Sequence, residues 1–355
     1  MMSGGRARGF VLVLVLSMLV VLSLLAGGIA ATTARLAEQS QQRAQRMQDA
    51  VDMASTRANV LYLLSTQRMT MGGLTVDRLV SFGSDGVREI QSDADLESSL
   101  PIGNEIALDA RNYRGLGNAR FAIQDDYGLF GVNWNPPWML KRLIDQGKGA
   151  EGLPAEALIN RLLDYQDKDD LYRLNSAEAD GYRKAGLRPP TNRPLATPME
   201  LMRVMGWSQA LGFLSPAEIS DNISSDNVAV VNVNTAPPRV LRTIEGLDED
   251  MAARVVAFRK TQPFLTDVAF FEFLGLQKSA EAPIAVYPAM SGTLKLWPSH
   301  GGQVGLVHWT LTPIENGGRP WREDYELIQS QAPASDAVAY PVRSRLFAKP
   351  VAAQD

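Results

Sequence analysis

The sequence predicts an α+β fold in which a long N-terminal helix packs on an antiparallel sheet and a large all-α domain is inserted into that sheet. Two observations support this class. An uncharged apolar run near the N-terminus continues into a second helical pattern, with no proline before Pro101. Alternating apolar and polar residues, typical of strands, occur on both sides of a central block of helical patterns. The simplest topology is therefore one sheet that a helical domain interrupts.

The first element is the apolar run at residues 10–31, which contains no charged residue. As a helix it would be about 33 Å long, enough to cross the hydrocarbon core of a bilayer. Arg6 and Arg8 precede it and no acidic residue does, so the positive-inside rule keeps the N-terminus in the cytoplasm. We predict a single-pass membrane anchor, with nearly all of the following chain exported to the other side of the membrane. A cleaved secretory signal, with the small residues at 26–31 as its cleavage site, is the alternative.

The second helical pattern extends from residue 32 to about residue 67. Apolar or small residues recur every three or four positions and so form one stripe along a helix. The stripe comprises Leu36, Ser40, Ala44, Met47, Val51, Ala54, Ala58 and Leu61. Its high content of Ala and Ser favours packing under a sheet. A free coiled-coil stalk is the alternative.

The boundary between the leader and the apolar run has a distinctive form. Gly9 stands directly before Phe10, after a short basic leader. This arrangement resembles the class III leader of type IV pilins and of the pseudopilins of type II secretion. The resemblance implies that a prepilin peptidase cuts between Gly9 and Phe10 and methylates the new N-terminus. The fifth residue after the cut is usually Glu and is Leu14 here, a departure typical of the K-type minor pseudopilin, which is thought to sit at the fibre tip.

Strand patterns follow the helix. Residues 105–113 and 119–124 alternate apolar and polar side chains across a Gly-containing turn, which predicts a hairpin. Similar patterns at 292–297, 303–312 and 325–328 predict strands after the helical block. The predicted N-terminal boundaries are 1–9 for the leader, 10–31 for the transmembrane part of the helix and 32–67 for its periplasmic part. The pilin-like sheet is predicted at 68–135 and 283–330, on either side of the helical insertion at 136–282. Residues 331–355, rich in Ala and Pro, are predicted to be a disordered tail.

The helical block contains an acidic run that suggests a metal site. Six carboxylates fall on a predicted loop and its ends: Asp164, Asp167, Asp169, Asp170, Glu178 and Asp180. Such charges repel one another unless a cation lies among them, and calcium suits flexible oxygen ligands. The spacing differs from that of an EF-hand loop. By composition alone a solvated acidic loop is the favoured interpretation.

The acidic run also resembles a motif of the K-type pseudopilins, D-W-I-D-x-D-(x)8-A-E-x-D-x-Y. The residues that correspond to it are Asp164, Asp167, Asp169, Ala177, Glu178, Asp180 and Tyr182, with seven residues instead of eight between Asp169 and Ala177. This resemblance implies a structural calcium site. The ligands it implies are Asp167, Asp169, Glu178 and Asp180, with Asp164 and Asp170 as further candidates. Asn175 and Ser176 replace the usual glycine-containing turn of the family.

A helix-hairpin-helix pattern follows, with predicted helices at 237–244, 249–261 and 266–273. It resembles both the SAM-like region of K-type pseudopilins and the DNA-binding hairpins of competence proteins. The hairpin carries four acidic residues, Glu245, Asp248, Glu249 and Asp250. Because these charges would repel phosphate, we predict that the chain does not bind nucleic acid.

Composition limits the ligands and the chemistry that the chain can support. The formal net charge is −4, or −6 after loss of the two leader arginines, which gives no electrostatic footprint for nucleic acid. The absence of cysteine excludes disulfides, thiol chemistry and Cys-ligated zinc. His300 and His308 lie in strand-like sequence, which favours structural roles. No hydrolase, zinc-protease or phosphate-loop motif is present, and we predict that the chain is not an enzyme.

Together, the leader, the acidic run and the segment NVNTAP at residues 232–237 resemble the K-type minor pseudopilins of type II secretion, from the leader to about residue 330. The resemblance implies a subunit that caps the pseudopilus tip and helps to initiate its assembly, in support of protein export. Its implied partners are the I- and J-type minor pseudopilins, with the H-type as a further candidate, the prepilin peptidase and the inner-membrane secretion platform. The alternative is a minor component of a type IV pilus or DNA-uptake system. An anchored periplasmic enzyme would require a deep pocket with convergent titratable groups.

Overall fold

The structure is a computed structural model that describes residues 8–79, 97–147, 153–277, 283–313, 318–330 and 338–348. Most of the predicted leader, residues 1–7, lies outside the described residues, whereas Gly9 and Phe10 lie in the first helix. The chain divides into two compact units, Met1–Asp52 and Met53–Asp355. The helical insertion and the sheet therefore belong to one unit.

Helix α1 comprises Arg8–Thr66. It continues without interruption past Gly27 and Gly28, where the sequence would have permitted a bend. Within the first unit, the side chains of residues 11–48 are all exposed. By length and composition the helix contains a segment able to cross a membrane. This agrees with the predicted anchor.

The remaining elements form short helices and strands. The helices are α2 (Pro137–Asp145), α3 (Ala155–Gln166), α4 (Ala179–Lys184), α5 (Trp207–Ala210), α6 (Pro216–Asn222), α7 (Pro238–Leu241), α8 (Glu249–Arg259) and α9 (Asp267–Leu274). The strands are β1 (Gln67–Thr70), β2 (Gly73–Leu79), β3 (Tyr113–Arg114), β4 (Ala119–Asp125), β5 (Phe130–Gly131), β6 (Ile223–Ser224), β7 (Val231–Asn232), β8 (Ile284–Ala285), β9 (Ser291–Pro298), β10 (Val304–Leu311) and β11 (Trp321–Gln329).

The largest sheet is antiparallel and has the strand order β11-β10-β9-β4-β3. Strand β4 precedes the helical block and β9 follows it, yet the two pair from Ala119↔Pro298 to Asp125↔Gly292. Strands from both sides of the insertion thus share one sheet. The predicted α+β class, with a long helix, an antiparallel sheet and additional helices, is confirmed.

The last turns of α1 pack on this sheet. Val60, Leu63 and Leu64 are buried in a core with sheet residues that include Phe121 and Trp309. The stripe predicted from the sequence differs here, because Ala54 and Ala58 are exposed. Larger side chains occupy the buried face, since they remove more apolar surface from water than Ala does.

The helical block has its own core, and hydrogen bonds fix its aromatic side chains. Trp207 is fully buried, and its indole nitrogen donates to the Leu158 carbonyl at 2.8 Å. The phenolic oxygen of buried Tyr182 accepts a hydrogen bond from the Met205 amide at 2.9 Å. These bonds satisfy polar atoms that would otherwise be costly to bury.

Part of the tail predicted to be disordered is ordered. Residues 338–348 lie against the sheet: Tyr340 pairs with Tyr113, and the Phe347 ring stacks on Phe121 with ring centroids 5.6 Å apart. The side-chain amide of Asn59 also donates to the Leu346 carbonyl at 2.7 Å. Composition did not predict this order, because it depends on two aromatic contacts with residues far away in the sequence. Residues 331–337 and 349–355 lie outside the described residues.

A buried carboxylate joins the sheet to the helical block. Asp125 ends β4 and is fully buried. It accepts hydrogen bonds from the amides of Tyr127 (3.2 Å) and Ala289 (2.7 Å), from the Asn232 side chain (2.9 Å) and from the Thr235 hydroxyl (2.8 Å). Burial raises the pKa of Asp125 to about 7, although these hydrogen bonds oppose the shift. One side chain therefore connects β4 with segments of the chain more than 100 residues away.

The neighbouring residue forms a second buried connection. The Nε2 atom of His308, on β10, lies 2.8 Å from Asp126 Oδ2, and its Nδ1 atom lies 2.8 Å from Asp324 Oδ2. Its ring stacks on Tyr325 at 4.8 Å. Burial alone would lower the pKa of His308, but the two carboxylates outweigh it and raise the pKa to about 10. His308 is therefore an imidazolium at neutral pH, in keeping with the structural role expected of it.

Replacing Asp125 by Ala should lower the free energy of unfolding by about 3 kcal/mol or more, because each buried donor left unpaired costs about 1–3 kcal/mol. Urea denaturation of the full chain in detergent would measure the effect. Asp145→Ala is the control, since that carboxylate is exposed and its ion pair with Lys141 lies at the surface. An Asp125→Ala protein as stable as the control would show that this carboxylate does not hold the two parts together.

The contribution of His308 to the free energy of unfolding should fall as the pH rises. The pKa of His308 in the folded protein exceeds its unfolded value of about 6.5, so its contribution is complete below pH 6.5 and is lost as the pH rises through about 10. Urea unfolding between pH 6 and pH 9 should show a gap between wild type and His308→Gln that narrows with pH. His300→Gln serves as the control. Parallel curves for wild type and His308→Gln would contradict this assignment of charge.

Candidate metal centre

The acidic run begins at the end of α3 and ends at the start of α4. Helix α3 is amphipathic and buries Leu158, Leu162 and Tyr165, which places Asp164 on its buried side. The chain then forms a loop in which Asn175 adopts a left-handed conformation, with φ of 58°. It returns through Glu178 to α4, where Tyr182 is buried. The loop thereby brings the two halves of the acidic run together.

The cation nearest to these carboxylates belongs to the protein itself. Nη1 of Arg173 is hydrogen-bonded to both Asp164 Oδ1 and Asp167 Oδ2. The backbone amide of Arg173 also donates to Asp164 Oδ2 at 3.0 Å. Asp164 is fully buried, whereas the Arg173 side chain is 40% exposed. Both oxygens of Asp164 therefore have partners.

Glu178 lacks such a partner. It is only 2% exposed, and neither of its carboxylate oxygens has a hydrogen-bond partner. Asp167 Oδ1 is likewise buried and without a partner. Burial raises the pKa of Glu178 to about 7, and the charges of four aspartates raise it further: Asp164, Asp167, Asp170 and Asp169. Partnerless buried oxygens beside other carboxylates are what a cation-binding site leaves when its ion is removed.

The remaining predicted ligands have different surroundings. Asp169 is exposed, and its Oδ1 atom accepts a hydrogen bond from the Leu171 amide at 2.9 Å. Asp170 is exposed at the rim of the loop. Asp180 lies on α4, where it accepts from the Gly181 amide and pairs with Lys184 at 3.6 Å. Four aspartates thus act electrostatically on Glu178, whereas Asp180 pairs with a lysine on its own helix.

Sequence reasoning missed Arg173. The sequence did contain a signal for it: Arg173 is the one arginine between Asp164 and Asp180. The negative charges of that run need a cation to neutralise them. Its contacts depend on the chain reversal in the loop, which the sequence pattern did not define.

The carboxylate oxygens of the acidic loop are not preassembled into a compact set of metal ligands. Within residues 153–277, which are all described, no three of the six predicted ligands have carboxylate oxygens within 4.8 Å of one another. A tighter group elsewhere comprises Asp126, Asp226 and His308. There, however, both ring nitrogens of His308 already contact carboxylates, and the ring is protonated at neutral pH. The acidic loop is the better candidate for a metal.

Comparisons with known proteins agree with the sequence motifs. Residues 231–287 match the family model described as type II secretion system (T2SS), protein K. The match confirms the resemblance to the K-type family predicted from the sequence. The chain is also similar to a chain of the crystal structure of the GspK-GspI-GspJ complex from the type 2 secretion system of enterotoxigenic Escherichia coli. The TM-score is 0.49 at 14% identity, covering 82% of this chain and 99% of that chain. Comparison with curated proteins gives no significant match.

Proposed function

We propose that this protein is a K-type minor pseudopilin that caps the tip of the type II secretion pseudopilus and helps to initiate its assembly. The observation that carries the proposal is the family match over residues 231–287. That segment begins at β7 and contains Asn232 and Thr235, two of the four residues that donate hydrogen bonds to Asp125. The matched region is thus joined to the sheet.

The N-terminal helix supports a role in a fibre. Residues 11–31 of this helix are exposed and uncharged, and such an apolar surface needs either lipid or other helices around it. We propose that the anchor holds the subunit in the inner membrane, with its N-terminus cytoplasmic, until prepilin peptidase cuts after Gly9 and methylates Phe10. The mature helix then packs beside those of the I- and J-type minor pseudopilins, and of the H-type as a further candidate, on the secretion platform.

Leu14 is consistent with the tip position. A glutamate at this point of a membrane helix is costly unless it meets a partner. Because this chain has Leu14 there, it has no buried carboxylate that needs a neighbouring subunit. The helical block adds bulk to the sheet, which would prevent another subunit from docking above it. The proposed role is structural, in support of protein export, and not enzymatic.

A DNA-uptake role is less well supported. The hairpin before α8 exposes Glu245, Asp248, Glu249 and Asp250 to solvent. Asp248 also caps α8, accepting from the Met251 amide at 2.8 Å. An exposed acidic hairpin repels the phosphate backbone. We therefore propose that no nucleic acid binds here.

We further propose that the acidic loop binds a structural calcium ion. The partnerless buried oxygens of Glu178 and Asp167 fit such an ion, since carboxylate oxygens are preferred calcium ligands. Asp169 and Asp170, whose charges act on Glu178, are further candidate ligands. Calcium would neutralise these charges, and Asp180 would stay with Lys184 on α4.

Processing and assembly test the pseudopilin proposal. In its own host, the protein should have the mass of a chain that begins with N-methylated Phe10, and it should co-purify with other minor pseudopilins. A Gly9→Val variant, uncut by the peptidase, is the control and should not enter that complex. Deletion should abolish protein export and leave DNA uptake unchanged. An uncut wild-type chain, or loss of transformation instead of export, would overturn the proposal.

Thermal melting of the full chain in detergent tests the calcium proposal. Millimolar calcium should raise the wild-type Tm by about 5 °C or more, because a ligand at 100 times its Kd stabilises by about 2.7 kcal/mol. Glu178→Gln should melt higher than wild type in chelator, since it removes a buried unpaired charge, and should respond less to calcium. Glu249→Gln, at an exposed site, is the control. No calcium response in wild type would exclude the site.

A further inference from the structure

Arg173 lies where a cation shared by Asp164 and Asp167 would lie. A single nitrogen, Nη1, contacts a carboxylate oxygen of each residue. Asp164 is fully buried, and Arg173 is the cation it contacts. Removing a charge partner from a buried carboxylate is strongly unfavourable. Without a metal, the folded loop therefore depends on this guanidinium.

One guanidinium does not satisfy the loop. Asp164, Asp167 and Glu178 together carry three negative charges when ionised, against one positive charge from Arg173. Both oxygens of Glu178, which is 2% exposed, and Oδ1 of Asp167 have no partner. These oxygens are independent evidence for a ligand, because they do not take part in the Arg173 contacts. A divalent ion that reached Glu178, Asp167 and Asp164 together would satisfy all three residues at once.

Arg173 is also able to leave. Its side chain is 40% exposed, and the flanking residues Leu171, Tyr172 and Leu174 are exposed by 75%, 56% and 80%. Apolar packing therefore does not hold these side chains. The backbone is held by the Arg173 amide on Asp164 and by the Leu174 carbonyl, which accepts from Asn160. A rotamer change alone would carry the guanidinium into solvent. A guanidinium and a calcium ion cannot both occupy the space between Asp164 and Asp167, and their like charges repel.

We propose that Arg173 is a built-in competitor of calcium: its guanidinium neutralises Asp164 and Asp167 in the metal-free protein and leaves when the ion binds. This inference rests on the proposed calcium site. It identifies Arg173 as the residue that sets the calcium affinity of the loop, and it assigns Asp164 to the ligands of the calcium-bound state. Binding thus exchanges one cation for another at Asp164 and Asp167.

Calorimetric titration of the full chain in detergent with calcium tests the exchange. Arg173→Gln should bind calcium about tenfold more tightly than wild type or better, because no internal cation has to be displaced. In chelator the same variant should melt below wild type, since Asp164 then keeps the amide of residue 173 but loses its cation, and calcium should restore most of the loss. Lys168→Gln is the matched control, because it removes an exposed positive charge from the same loop. That control should change the affinity much less.

The outcomes separate the two proposals. If wild type and Arg173→Gln both fail to bind calcium, the calcium site itself is wrong. If wild type binds and Arg173→Gln binds equally or more weakly, Arg173 is a positioning residue and the competition is excluded. If Lys168→Gln gains as much affinity as Arg173→Gln, the effect is one of general charge, and the specific exchange at Asp164 is overturned.

Discussion

The hydrogen bonds to Asp125 are the constraint on which the second unit depends. A buried carboxylate is tolerated only when donors surround it, and its donors come from the turn after β4, from the middle of the chain and from the segment before β9. All of these segments must be in place together before the charge is satisfied. The adjacent Asp126 adds the contact with His308 on β10. The sheet and the helical block consequently belong to one compact unit, although they alternate along the chain.

The segment that supplies two of these donors serves a wider structural role. Asn234 donates from its side chain to the carbonyls of Phe264 and Val286 and accepts from the Phe264 amide. The guanidinium of Arg259 donates to the carbonyls of Val233 and Ala236. Backbone groups that no regular strand or helix could pair are thereby satisfied by side chains. This explains why polar residues fill a buried segment.

Local patterns predicted the fold where periodicity was strong. Predicted strands at 119–124 and 303–312 correspond to β4 (Ala119–Asp125) and β10 (Val304–Leu311), and the predicted third helix of the hairpin region corresponds to α9. Predictions of local structure were wrong where contacts between residues distant in the sequence determine it. The helix predicted at 237–244 shortens to Pro238–Leu241, and residues 338–348 are ordered by contacts with Tyr113 and Phe121 that lie more than 200 residues away. Such contacts leave no periodic signal in the sequence.

The same distinction applies to the acidic loop. The sequence shows how many charges are present, but only the fold determines which of them lose contact with water. Asp164 and Glu178 are both buried carboxylates, yet one meets Arg173 and the other meets no donor. An unpaired charge in such a place costs free energy that the remainder of the fold must offset. The proposed calcium would remove this cost, and it is abundant outside the cytoplasm. With the proposed periplasmic location, the proposed ion would complete the loop only after the chain has crossed the membrane, so that export and completion of the fold would coincide.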